Sequence, residues 1–175
     1  NDAGRQMNIL ATSVWLRYLE VCGEEFVFPS NAYRGAYVGE IAQQLFSQYG
    51  KHFFKPAELV FKDIPADEPL GGNKEAHIDA LILKAKTLLG VVDYEKIFNA
   101  GLTSILLDIK EDLSAFRVNF DEWFSENSLF KIDFVDKTIQ RLIASGTTYE
   151  ANGALWFKST DFGDDKDRVL LRENG

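Results

Sequence analysis

The hydrophobic period of this chain changes near Ser114, and that change limits what it can fold into. Up to about residue 115 the apolar residues recur every three or four positions; after Ser114 they alternate, with the helical spacing returning at 135–143. A 3.6-residue period lays one apolar stripe along a helix, whereas a period of two lines one face of a strand. The chain is therefore expected to be mixed α and β, rich in helix, with most strand in its last 60 residues.

The first stripe is Met7, Leu10, Ala11, Val14, Trp15, Tyr18, Leu19 and Cys22, stopped by Gly23. A second carries Val38, Ile41, Ala42, Leu45, Phe46 and Tyr49 ahead of Gly50. Residues 51–72 hold three prolines and Gly71-Gly72, which reads as a long connection with a short strand at Leu59-Val60-Phe61. Asn73 has the side chain to cap a third helix bearing Ile78, Leu81, Ile82, Ala85, Leu88 and Leu89, ended by Gly90. Asp93 is placed to cap a fourth, with Phe98, Leu102, Ile105, Leu106, Ile109 and Leu113 on its face. Phe116, Val118 and Phe120 then alternate with polar residues, the pattern of a half-buried strand. Asp133 is expected to cap a fifth helix with Val135, Ile139, Leu142 and Ile143, ended by Gly146. Thr147–Ala151 and Ala154–Lys158 flank Asn152-Gly153, the pair that tolerates the positive φ of a type I′ hairpin turn. A last strand is expected at Val169–Arg172, followed by a second Asn-Gly. That ending, and an opening at Asn1-Asp2-Ala3-Gly4 without methionine, suggest a piece of a longer polypeptide.

Composition removes several function classes. No stretch approaches the ~18 apolar residues that span a bilayer, and no signal-peptide pattern opens the chain, so no membrane partner is expected. A single cysteine, Cys22, excludes an internal disulfide and suits a reducing compartment, as a small core residue. His52 and His77 stand apart from any metal-ligand spacing, and no metal site is expected. The net charge of −8 makes the chain a poor partner for phosphate backbones, whose binders are usually basic. Asp161-Phe162-Gly163 imitates the kinase metal triplet, but the glycine-rich strands and His-Arg-Asp loop are missing, and no P-loop occurs. The acidic run 161–168, interrupted by Lys166 and Arg168, reads as a solvated turn.

Four segments, in order, carry a family resemblance. They are Asn1-Asp2-Ala3-Gly4-Arg5-Gln6, running into Leu10–Val14 and Arg17-Tyr18-Leu19; Tyr33-Arg34-Gly35-Ala36-Tyr37; Phe120-Asp121-Glu122-Trp123-Phe124-Ser125-Glu126 with Ser128-Leu129; and Gly153–Leu170. Together they resemble bacterial arginyl-tRNA synthetases. The first three are similar to that family's Asn-Asp-x-Gly-x-Gln, Tyr-x-Gly-x-Tyr and Phe-Asp-x-Trp-Phe-Ser-Glu-x-Ser-Leu segments, and the fourth matches almost throughout.

The resemblance implies a helix-rich α/β fragment of a Rossmann-type class I synthetase catalytic domain. Residues 1–22 and 116–175 would flank a mainly helical insertion at 23–115. It implies a cytoplasmic enzyme that activates arginine with ATP and Mg2+ and transfers it to tRNA(Arg). The family's His-x-Gly-His and Lys-Met-Ser-Lys-Ser-like signatures do not occur in these residues, so no catalytic residue is assigned and the isolated chain is expected to be inactive. By position, Glu126 corresponds to the family's glutamate for the arginine guanidinium, and Asn1, Asp2, Gly4 and Gln6 fall near the same pocket without assigned contacts. Two rivals remain open: a non-catalytic helical interaction module, and a fragment of another class I synthetase.

Overall fold

The computed structural model describes residue 2, residues 4–131 and residues 133–172. They fall into two compact units, Asn1–Trp123 and Phe124–Gly175.

In the first unit α1 (Arg5–Val21) lies between α2 (Ala36–Tyr49) and α4 (Lys74–Ala115), with a short α3 (Ala57–Val60) in the connection. The expected stripe is buried from Met7 to Leu19, with Cys22 half-buried just past the helix, and Ile9, Thr12, Ser13 and Leu16 on the other sides of α1 are buried too. A helix covered nearly all round is a core helix rather than a surface one. Its Trp15 and Tyr18 tie it to the chain after α2. Trp15 Nε1 donates to the Phe53 carbonyl at 2.9 Å, and the Tyr18 hydroxyl donates to the Gly50 carbonyl while accepting from Phe53 N–H. Phe53 is fully buried, edge-on to Tyr18.

Residues 51–72 are thus no loose connection. Phe53, Val60 and Asp67 are all buried, and the expected strand at Leu59–Phe61 is replaced by α3. The reason is local. Pro56 begins a helical turn without needing an N–H, Glu58 suits the positive end of that turn, and no neighbouring strand offers a ladder. No strand occurs anywhere in 23–115.

Asn73 caps α4 as expected, its side chain accepting from Glu75 and Ala76 N–H. The third and fourth expected helices meet at Gly90, where φ 73° and ψ 172° break the helix. Asp93 is not a cap: its carboxylate takes His52 Nε2 at 3.0 Å and Lys96 Nζ at 2.8 Å. Beyond Ile97 burial fades, and Ile109 is 41 % exposed.

The expected strand at 116–121 is absent. Its first residues close α4 instead: Arg117 N–H reaches the Ser114 carbonyl and Val118 N–H the Leu113 carbonyl, with Arg117 at φ 61°. This is the paired 5→2 and 6→1 closure of a helix C-terminus, here without glycine. Once those N–H groups serve the helix, the alternating residues have no ladder, and Phe116 and Phe120 are exposed.

Asp67 offers a test of the packed connection. Its carboxylate accepts from Ser30 N–H at 2.7 Å and Glu68 N–H at 2.8 Å. Burial alone would raise its pKa, but these backbone donors outweigh it and hold the carboxyl below the ordinary range. A depressed folded pKa adds stability above the unfolded value of about 3.9, and that contribution is lost as pH falls through the folded value. Asp67→Asn should lower the melting temperature at neutral pH and flatten its fall below about pH 4. An unchanged acid profile in the variant would refute the assignment.

In the second unit, α5 (Asn127–Lys131) and α6 (Phe134–Ala144) precede an antiparallel meander of β1 (Thr148–Ala151), β2 (Ala154–Phe157) and β3 (Arg168–Leu171). Asp133 stands before α6 but makes no side-chain cap bond. Asn152 and Gly153 turn β1 into β2 at φ 52° and 71°, as their sequence predicts. Tyr149 stacks on Trp156 directly across the pair. β3 ends at Leu171, one residue short of the expected Arg172, and the closing Asn174-Gly175 lies outside the described residues.

Candidate functional site

A polar cleft opens at the start of α1. Arg5 spans to α4, donating to Glu75 at 2.6 Å and Asp79 at 2.7 Å. Gln6 Oε1 accepts from the Tyr33 hydroxyl at 2.7 Å. The Tyr33 N–H in turn donates to Ser13 Oγ at 2.9 Å, and that hydroxyl donates back to the Ile9 carbonyl. The exposed pairs of Arg5 are worth little individually, since solvent screens them, but two carboxylates fix one guanidinium. Arg5, Gln6, Ser30, Asn31 and Tyr33 line a pocket of about 220 Å³.

Of the expected pocket residues in this unit, Gln6 is in the cleft. Gly4 caps the start of α1 and its carbonyl accepts from Asn8. Asp2 is half-buried just ahead of it, and Asn1 lies outside the described residues. Arg5 and Tyr33 are the members that residue-level reading left without a role. Their signal was membership of two similar short segments, but only folding shows that these segments meet.

In the second unit, Glu126 is exposed immediately before α5, with its carbonyl accepting from Leu129 N–H at 3.0 Å. No described residue pairs with its carboxylate. The neighbouring Ser125 carbonyl receives both the N–H and the hydroxyl of Ser128.

The acidic run 161–168 is an ordered loop. Arg168 forks onto Asp164 at 2.7 and 2.6 Å and reaches Asp165 at 2.8 Å. Arg168 and the Asp165 contacts hold the Asp164 carboxyl well below the usual range. Asp167 accepts from Thr160 N–H, the Thr160 hydroxyl and the Tyr149 hydroxyl. The loop thereby joins β1 to the approach of β3. Among the described residues no group of three or more His, Cys, Asp or Glu side chains could hold a metal ion, and no helix is long and apolar enough to cross a membrane.

No protein-family model matches the chain. Curated sequences do. It is 57% identical over all 175 residues to an arginine–tRNA ligase of Legionella pneumophila, 54% to one of Thioalkalivibrio sulfidiphilus and 46% to one of Coxiella burnetii. The whole chain also superposes on 31% of the crystal structure of a putative arginyl-tRNA synthetase from Campylobacter jejuni, with TM-score 0.61 and 27% identity. Along its whole length the chain is similar to arginyl-tRNA synthetases. It spans about 30% of the length of the curated relatives it matches. The four segments that resemble arginyl-tRNA synthetases now have places. Two face each other across the Gln6–Tyr33 bond, one runs from Phe120 into α5, and one builds β2, the acidic loop and β3.

Proposed function

We propose that the chain is an internal segment of the catalytic region of an arginine–tRNA ligase, an enzyme that activates arginine with ATP and transfers it to tRNA(Arg). The observation that carries this reading is identity of up to 57% to such ligases along every residue. In this reading the whole protein is a cytoplasmic class I synthetase. Residues 1–22 and 116–175 flank its Rossmann-type core, and 23–115 form an insertion. The course of 23–115, helical in its main elements and without strand, supports that division.

Glu126 is the residue of this segment that contacts arginine. A guanidinium is planar, always charged and forked in its donors, which a carboxylate matches in charge and geometry. The exposed carboxylate of Glu126, ahead of α5 and not consumed by a described partner, supports this role. Gln6 and Tyr33, linked to each other, shape the cleft at α1.

ATP with its Mg2+ is not held by this segment. The sequence has no phosphate-handling signature, and the acidic loop does not fit a metal centre, since Arg168, Thr160 and Tyr149 occupy the carboxylates of Asp164, Asp165 and Asp167. The charge of −8 likewise leaves the grip on tRNA to the rest of the protein.

Arginine-dependent ATP–pyrophosphate exchange tests the reading. The full-length protein should exchange, and the isolated 175-residue chain should stay at background, because orientation and stabilisation of the phosphates carry such chemistry. Robust exchange by the isolated chain, or exchange by the full-length protein that ignores arginine, would overturn it.

A further inference from the structure

A pocket of about 510 Å³ opens between the chain after α1, α3 and the start of α4, and it shares no lining residue with the cleft at Arg5 and Gln6. Its walls are mainly apolar: Phe26 and Phe61, whose rings lie 5.0 Å apart, with Ile64 and Leu70. Such a volume, apolar lining and few polar groups are the usual properties of a small-molecule site.

Two buried polar side chains face it, and they differ. Asp67 is spent, since both carboxylate oxygens already accept backbone N–H groups from Ser30 and Glu68. His77 is not. It is 8 % exposed, and its Nδ1 lies 2.6 Å from the Pro65 carbonyl. A carbonyl only accepts, so Nδ1 carries the proton, and in the neutral ring Nε2 is an acceptor. No described residue donates to Nε2, although His77 lines the pocket and its ring stacks with Phe61 at 6.4 Å. A histidine nine-tenths buried, with an Nε2 that no described protein group serves, set among aromatic rings, states what would complete it: a flat apolar body carrying one hydrogen-bond donor.

We propose that this pocket binds a small aromatic ligand with a single hydroxyl or ring N–H, the ring lying among Phe26, Phe61 and Leu70 and the donor on His77 Nε2. The aromatic body supplies the apolar contact, and the donor fixes orientation. An aliphatic cation is not favoured: the buried carboxylate of Asp67 is already satisfied, and Glu58, the other carboxylate of the wall, is exposed to water.

p-Cresol and toluene are suitable probes, since they differ by one hydroxyl. Their binding is followed at pH 8 through the His77 and Phe61 ring resonances, on both the 175-residue chain and the full-length protein. p-Cresol should saturate both and bind about tenfold more tightly than toluene, the value of roughly one net hydrogen bond. His77→Phe keeps a ring and removes the acceptor, so it should equalise the two probes, while Leu70→Glu on the exposed rim should weaken both. Melting curves establish that each variant is folded. Absence of saturable shifts, equal affinities for the two probes in the unsubstituted protein, or a p-cresol preference that survives in folded His77→Phe would overturn the proposal. So would binding to the chain but not to the full-length protein, since polypeptide outside this segment would then be the occupant.

Discussion

Trp15→Ala should destabilise the chain by about 3–5 kcal/mol, the range for removing a large aromatic side chain from a packed core. Trp15 is 1 % exposed at the centre of α1, and its indole N–H is the donor to the Phe53 carbonyl. The substitution both opens a cavity where α1 and the chain after α2 meet and leaves a buried carbonyl without its partner. Total stabilities of single domains are about 5–15 kcal/mol, so the variant is expected to be partly unfolded at 37 °C. Trp15→Phe separates the two contributions. It keeps most of the ring and removes the N–H, and should cost about 1–3 kcal/mol for the orphaned acceptor. Urea unfolding followed by circular dichroism is the measurement, since it does not rely on the fluorescence of the residue removed. A loss below about 1 kcal/mol for Trp15→Ala would show that α1 is not the centre of this core.

Glu126→Gln in the full-length protein should lower arginine-dependent exchange by roughly 30- to 5,000-fold. That corresponds to the about 2–5 kcal/mol lost when one partner of a buried, hydrogen-bonded charge pair is neutralised. The exchange of oxygen for an amide keeps the shape and removes the charge, so the loss reports electrostatics. The expectation rests on the assignment of Glu126 to substrate arginine. In the 175-residue chain itself Glu126 is exposed and its side chain holds no part of the fold. The substitution should therefore leave the melting temperature of the chain unchanged. Wild-type KM and turnover for arginine in the full-length variant would remove Glu126 from the site. A large drop in melting temperature would assign it a structural role instead.

The two substitutions probe different kinds of information. Trp15 could be placed from its position in the stripe from Met7 to Cys22, because an amphipathic period depends only on neighbours in the chain. The same holds for the Asn73 cap, the break at Gly90 and the Asn152-Gly153 turn, each set by the conformations that one or two residues allow. Glu126 came from resemblance, not from periodicity, since a carboxylate following an alternating segment has no chemical signature by itself.

Periodicity failed where hydrogen bonds had to be shared between distant parts of the chain. Phe116, Val118 and Phe120 alternate, yet the N–H groups of Arg117 and Val118 close α4, and no described strand lies alongside to make a ladder. Leu59–Phe61 is apolar enough for a strand, but Pro56 and the buried seat of Val60 turn it into α3. The burial of α1 on nearly every side, the meeting of Gln6 with Tyr33 and the bare Nε2 of His77 among aromatic rings likewise belong to the tertiary structure. A residue's own torsional preferences and its near neighbours determine helices, caps and turns. Which donor finds which acceptor across some 30 residues, or which face is covered twice, depends on packing that exists only once the chain has closed on itself.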